Sequence, residues 1–147
     1  MTQILNFIFL GMIGPWQLSI LFIIPALALI PLIFYLLNLQ DTFNVISVEN
    51  RKMQSGEVWL TLIPLFGLVW QFIIVNRLAD SLKAEFNAKN IIVDEERPGL
   101  GIGLAYCILF CCSIIPFINF LTATGGIICW IIYWSKIYNY KIKLKQI

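Results

Sequence analysis

Apolar and polar positions divide this chain into four long greasy runs separated by short hydrophilic ones. Residues 16–39, WQLSILFIIPALALIPLIFYLLNL, carry no charge and meet the roughly 17–25 residues needed to cross ~30 Å of hydrocarbon. Residues 58–76 form a second uncharged run containing Pro64, Gly67 and Gln71. Its many Leu, Ile, Val and Phe side chains outweigh one amide and one missing backbone donor, although Pro64 and Gly67 predict a kink or break. Residues 99–115 and 120–138 supply a third and a fourth run, joined through residues 116–119 as a tight helical hairpin. The fold expected is all-α: an integral membrane bundle of four transmembrane helices, one domain over residues 1–147. Residues 1–14, MTQILNFIFLGMIG, are too short to span and lack the positive start of a secretory signal. They read as an interfacial segment ending at Gly14 and Pro15, with Trp16 at headgroup level, or as a lengthening of the first span.

Past Val75 the pattern changes without a break. Leu78, Leu82 and Phe86 recur every four residues among Arg77, Asp80, Lys83 and Glu85, so residues 76–89 are predicted as an amphipathic cytoplasmic extension of the second span. Glu85 with Lys89, and Arg77 with Asp80, are spaced to pair on its wet face, each pair worth a few tenths of a kcal/mol. Arg77, Leu78, Asp80, Leu82, Lys83, Glu85 and Phe86 together make a candidate partner-binding helix. Upstream, Ser55 offers an N-cap, and Glu57 puts a carboxylate in the first turn, where the helix dipole favours it.

Composition agrees with lipid as the solvent. Of 147 residues, 60% are hydrophobic and 12% charged, with a mean hydropathy of +0.87; a soluble domain carries about twice that charge. The net charge of +2 and the lack of a basic patch outside the tail argue against a nucleic-acid partner. Histidine is absent, and the four cysteines, Cys107, Cys111, Cys112 and Cys129, all fall in apolar runs, where neither a secreted-type disulfide framework nor a thiolate metal site is expected. Gly99, Gly103, Cys107 and Cys111, small residues every four positions, read instead as a helix-packing seam. The glycines of PGLGIGLAY follow no strand and lack the dinucleotide-binding spacing. Asp94, Glu95 and Glu96 read as a solvated charge run without the donor pattern of a calcium loop. No catalytic, cofactor-binding or metal-ligating residue is assigned.

Basic residues set the orientation. With four spans and both termini cytoplasmic, Arg77, Lys83, Lys89, Arg97 and the tail lysines lie inside, and Arg51 and Lys52 lie outside. A competing path bends residues 58–75 into a re-entrant hairpin at Pro64 to Gly67 and brings Arg51 and Lys52 inside as well. The aromatic residues Trp130, Tyr133, Trp134, Tyr138 and Tyr140 crowd the end of the last run, as an interfacial belt does.

The segments RKMQSGEVWLTLIPLFGLVWQFIIVNRLADSLKAEF, GLGIGLAYCILFCCSIIPF and IICWIIYWSKIYNYK together resemble small multi-spanning proteins of bacterial inner membranes, of the type found in Bacteroidetes genomes, a group of no established activity. The resemblance covers most of the chain from Arg51 onward. It implies a helical inner-membrane protein and brings no catalytic residues with it. Three classes of function follow. A non-enzymatic scaffold or accessory subunit would bind other membrane proteins, or itself, through the seam and the cytoplasmic helix. A small oligomeric pore or transporter would line a wet path with Gln71, Asn119, Thr122 and Thr124. An enzyme acting on lipid would have to work with Glu57, Asp80 and Glu85 near the interface, and is the least supported.

Overall fold

A computed structural model describes residues 15–146, so the reading of residues 1–14 lies outside the described residues. The chain is all-α, with five helices and no strand among the described residues: α1 (Pro15–Val45), a 3-10 helix (Ser55–Leu62), α2 (Phe66–Ala88), α3 (Leu100–Cys112) and α4 (Asn119–Lys145). It divides after Tyr35 into two compact units. The first contains the beginning of α1, where Ile20, Ile23, Leu27, Leu29 and Ile30 are exposed. The second runs from Leu36 onward and holds everything described below.

α1 continues through Pro25 and Pro31 without interruption and ends at Val45. Beyond the unit boundary Leu36, Leu39, Phe43 and Ile46 are buried; their spacing of three and four makes one inward stripe. Arg51 closes the end of α1, its Nη2 donating to the Ile46 carbonyl at 3.1 Å and the Asn44 carbonyl at 3.4 Å. A cation there complements the unpaired carbonyls of a helix C-terminus.

The span expected over 58–76 is not one helix. A 3-10 helix of 8 residues stops at Ile63 and Pro64, and Leu65 takes φ 64° and ψ −48°. Phe66 N–H donates to the Pro64 carbonyl at 2.7 Å, closing a γ-turn of the rare positive-φ kind. The chain then reverses against itself. Trp70 Nε1 donates to the Glu57 carbonyl at 2.8 Å, and Thr61 Oγ1 donates to Gln71 Oε1 at 3.2 Å. Gly67 is required at the bend: a Cβ there would stand 2.0 Å from the Thr61 carbonyl oxygen. Proline's missing donor and glycine's missing side chain turn the predicted kink into a hairpin.

Ser55 is the first residue of the 3-10 helix rather than its cap; Gln54 precedes it and makes no side-chain capping bond, while Glu57 does lie in the first turn. α2 ends in a Schellman motif on Asn90, at φ 54°, with Ile91 N–H donating to the Phe86 carbonyl at 2.8 Å and Asn90 N–H to Asn87 at 3.2 Å. α3 is 13 residues long, about 20 Å, shorter than the span expected over 99–115. Among the described residues one helix, α4, is long and apolar enough to cross a membrane, and only 17% of its apolar window is buried. The fold is all-α as expected; of the runs read as spans, the second and third do not form span-length helices, because α2 begins eight residues late and α3 ends three early.

Candidate functional site

The polar half of the second unit is built around Glu85. Expected on the wet face of α2, this carboxylate instead stands beside Leu78 and Leu82 on the inward face, at 1% exposure, where an unsatisfied charge would cost several kcal/mol. The loop after α1 replaces the missing water. Ser47 donates from its backbone N–H to Oε2 at 3.1 Å and from its hydroxyl to Oε1 at 2.9 Å, and Asn50 Nδ2 donates to Oε2 at 2.7 Å. Lys89 Nζ lies 3.4 Å from Oε1, the spacing-predicted pair. Burial pushes the Glu85 carboxyl up, but the bonds from Asn50, Ser47 and Lys89 outweigh it and hold its pKa below the usual carboxylate value. One turn earlier Ser81, also buried, accepts the Lys52 backbone N–H at 2.9 Å.

The loop between α2 and α3 is fastened by pairs of opposite charge. Arg97 Nη2 sits 2.7 Å from Asp80 Oδ1, and Lys83 Nζ sits 2.8 Å from Glu96 Oε1. Arg77, predicted to pair with Asp80, is displaced from it by Arg97. Glu95 joins Lys136 of α4 and accepts the Gly99 N–H at 2.7 Å. Its own burial raises the Glu95 carboxyl; Lys136 and Gly99 reverse the sign and lower it. Of the three acids read as a solvated run, Glu95 joins the loop to α4, whereas Asp94 is exposed and Glu96, beside Lys83, is 87% exposed. Lys141, a tail lysine, is buried, with its Nζ 3.7 Å from Asp41 Oδ2 and 5.0 Å from the Tyr138 ring centre, a snorkelling geometry.

These bonds bear on the two paths the sequence left open. Ser47, Asn50 and Lys52 bond directly to Glu85 and Ser81, whereas one straight helix over 58–76 would hold them apart. The chain between residues 54 and 76 doubles back on itself. Residues 55–75 leave and re-enter the same polar end, and all ten Lys and Arg and all eight Asp and Glu fall within residues 41–57, 77–97 and 136–145.

The predicted partner-binding helix is not a free surface. Leu78 and Leu82 are 0% exposed and Phe86 2%, with Phe86 edge-on to Tyr140 at 5.7 Å. Periodicity identified that face correctly; the same chain covers it. The seam is likewise used internally. A Cβ on Gly103 would meet Val75 Cγ1 at 2.5 Å and Tyr133 Cε2 at 2.8 Å, and one on Gly99, at φ 76°, would meet Ile137 Cδ1 at 3.2 Å. Cys107 is buried and Cys111 half-buried in the same helix.

The residues of the predicted wet path are not brought together. Gln71 Nε2 donates to Tyr106 Oη at 2.5 Å, while the Thr122 and Thr124 hydroxyls bond back to the Ile118 and Phe120 carbonyls of their own helix. The aromatic crowd also divides. Tyr133 turns inward to Tyr106 at 5.3 Å, and Trp130 packs on Trp134 at 5.5 Å. Among the described residues no group of three or more His, Cys, Asp or Glu is placed to hold a metal.

The feature that residue-by-residue reading missed is a groove of about 510 Å³ lined by Val48, Arg51, Lys52, Met53, Gln54, Glu57, Trp70, Ile73 and Arg77. Trp70, Ile73 and Arg77 stand at i, i+3 and i+7, one face of α2. The re-entrant hairpin carries Arg51 and Lys52 to them across about 25 residues of sequence. Three cations meet one carboxylate there, a net of two positive charges, and Lys52 and Arg77 are exposed and, among the described residues, in no ion pair. The only signal for it in the sequence was the re-entrant alternative itself.

No protein-family model matches the chain, and no curated protein or solved structure matches it either.

Proposed function

We propose that this chain is a non-enzymatic integral protein of the bacterial inner (cytoplasmic) membrane, a scaffold or accessory subunit that binds other membrane proteins through its lipid-facing surface. The observation that carries the reading is the exposure of its most apolar residues. Phe117 is 97% exposed, Phe120 86% and Leu121 77%, and Ile127, Ile128, Ile131 and Ile132 continue the surface along α4. An apolar surface this continuous marks a membrane or a partner. From Ile137 to Asn119, α4 rises about 27 Å, close to the hydrocarbon thickness, so α4 is long enough to reach across, with the shorter α3 packed beside it. Residues 55–75 dip in and out from the polar end.

Gathering every basic residue at one end assigns that end to the cytoplasm. It carries the close of α4 with Lys141, Lys143 and Lys145. Of the three acids an enzyme would need, Asp80 and Glu85 are engaged in ion pairs and hydrogen bonds that hold the fold together and Glu57 alone lines the groove, which favours scaffold over catalyst. The separation of Gln71 from Thr122 and Thr124 weakens the pore.

Two measurements test this. Glu49→Cys and Asn87→Cys, both exposed, react with an impermeant maleimide only from the cytoplasmic face; labelling from opposite faces defeats the hairpin. A pull-down in mild detergent returns a stable heterologous membrane partner, whereas a closed homo-oligomer that passes ions in liposomes overturns the scaffold in favour of a pore.

A further inference from the structure

We infer that the groove between the α1–α2 connection and α2 is a binding site for the phosphate headgroup of an anionic glycerophospholipid. The inference rests on the membrane reading above and adds to it a ligand and a place. Arg51, Lys52 and Arg77 line the groove against the single carboxylate of Glu57. No salt bridge neutralises any of the three among the described residues, although five other cations of this end are paired. Arg51 is held in place by the α1 carbonyls, and its Nε, buried and without a hydrogen-bond partner, leaves that guanidinium with donor capacity unused.

The second half of the argument is what lies beside the charges. Val48, Met53, Ile73 and Trp70, with the amide of Gln54, complete the lining, and Trp70 is fixed by its bond to the Glu57 carbonyl. Toward the amino end of α2, Phe66, Leu68 and Val69 are exposed. A ligand seated here therefore needs an anionic head toward Arg77 and an acyl portion along Trp70 and the start of α2. A free phosphate would satisfy the first requirement only; a phospholipid satisfies both. Tryptophan at the level of the headgroups and cations just beyond it are the pattern by which proteins hold anionic lipid at an interface.

The test is lipid retention by the full chain in a neutral detergent, read by native mass spectrometry with phosphatidylglycerol and phosphatidylcholine as competing probes. Each cation near an anionic surface changes affinity by about fivefold, so Lys52→Gln with Arg77→Gln lowers phosphatidylglycerol retention roughly 25-fold and leaves phosphatidylcholine unchanged. Neither side chain makes an internal ion pair, so the fold is retained. Glu57→Gln acts in the opposite direction and raises retention. Equal retention of both lipids by a chain that still requires detergent overturns the headgroup site alone. Displacement of the lipid by millimolar inorganic phosphate, with no preference between the two lipids, assigns the groove to a soluble anion and overturns it too. A chain that remains monodisperse without amphiphile defeats the membrane reading on which both stand.

Discussion

One helix, α2, is apolar and exposed along its first part and buried along its second. At its beginning Phe66, Leu68, Val69 and Ile73 are between 36% and 63% exposed, whereas from Ile74 onward Ile74, Val75, Leu78 and Leu82 are 0% exposed. α4 repeats the contrast in reverse order, with Phe120 and Leu121 outside and Ile137 and Leu144 within. The polar end is built as water-soluble proteins are, with a packed apolar centre and a satisfied buried carboxylate. The apolar end leaves its large aliphatic and aromatic side chains exposed, and on that exposure the proposed membrane reading rests. In both helices the change from exposed to buried apolar side chains falls within the helix and not at a break in the chain.

The largest effect is expected from removing the carboxylate on which the polar end converges. Glu85→Ala leaves the Ser47 N–H and hydroxyl, the Asn50 amide and the Lys89 ammonium without their acceptor, and is expected to lower stability by roughly 3–5 kcal/mol, measured by thermal unfolding in detergent. A loss under 1 kcal/mol would mean that the α1–α2 connection is held by something other than this residue. Next comes the bend. Gly67→Ala sets a methyl group 2.0 Å from the Thr61 carbonyl oxygen, and backbone cannot rotate away as a side chain can. A cost of about 2–3 kcal/mol is expected, with loss of protection of the Trp70 indole hydrogen in exchange experiments. An unchanged variant would argue that 55–75 does not fold back.

Acid provides a milder way to weaken the same end. The Glu85 and Glu95 carboxyls are held below their ordinary value, so the folded state binds fewer protons than the unfolded one. Their contribution is complete above the unfolded value of about 4.3 and is lost as pH falls through the folded values. Melting temperature in detergent is therefore flat from neutrality to about pH 5 and declines below about pH 4. Glu85→Gln removes part of that decline; an identical acid limb in the variant would assign it to other carboxylates.

Much of this contrast is readable from the residues, and what is not has a physical reason. Periodicity finds the inward face of α2 at Leu78, Leu82 and Phe86 and pairs Glu85 with Lys89, because both depend on spacings of four within one helix. The small-residue pattern finds Gly99 and Gly103, since only a residue without a side chain admits Tyr133 and Ile137. A hydropathy run, however, cannot distinguish a helix that crosses from one that doubles back when Pro64 and Gly67 lie inside it; the bond from Trp70 to Glu57 decides, across 13 residues. Pairing of Ser47 and Asn50 with Glu85, and of Lys136 with Glu95, joins positions 35 to 41 residues apart. No local signal encodes these, nor the convergence of Arg51 and Lys52 on Arg77.

The smallest expected effect tests the other side of the comparison. Phe120 is 86% exposed near the turn joining α3 to α4. If lipid covers it in the folded state, lipid also covers it when the helices separate within the bilayer, so truncation removes little from one state relative to the other. Phe120→Ala is then expected to change unfolding stability in mixed micelles by no more than about 0.5 kcal/mol, although it removes a larger apolar group than most core substitutions. A loss above about 1 kcal/mol would show that the ring packs on protein, either a second copy or a bound subunit, and repeating the measurement at tenfold dilution separates those cases. Self-association makes the loss fall with protein concentration, whereas a co-purified subunit at fixed stoichiometry shows up by mass, and the lipid-facing surface of α4 would then be an interface and not a boundary with solvent.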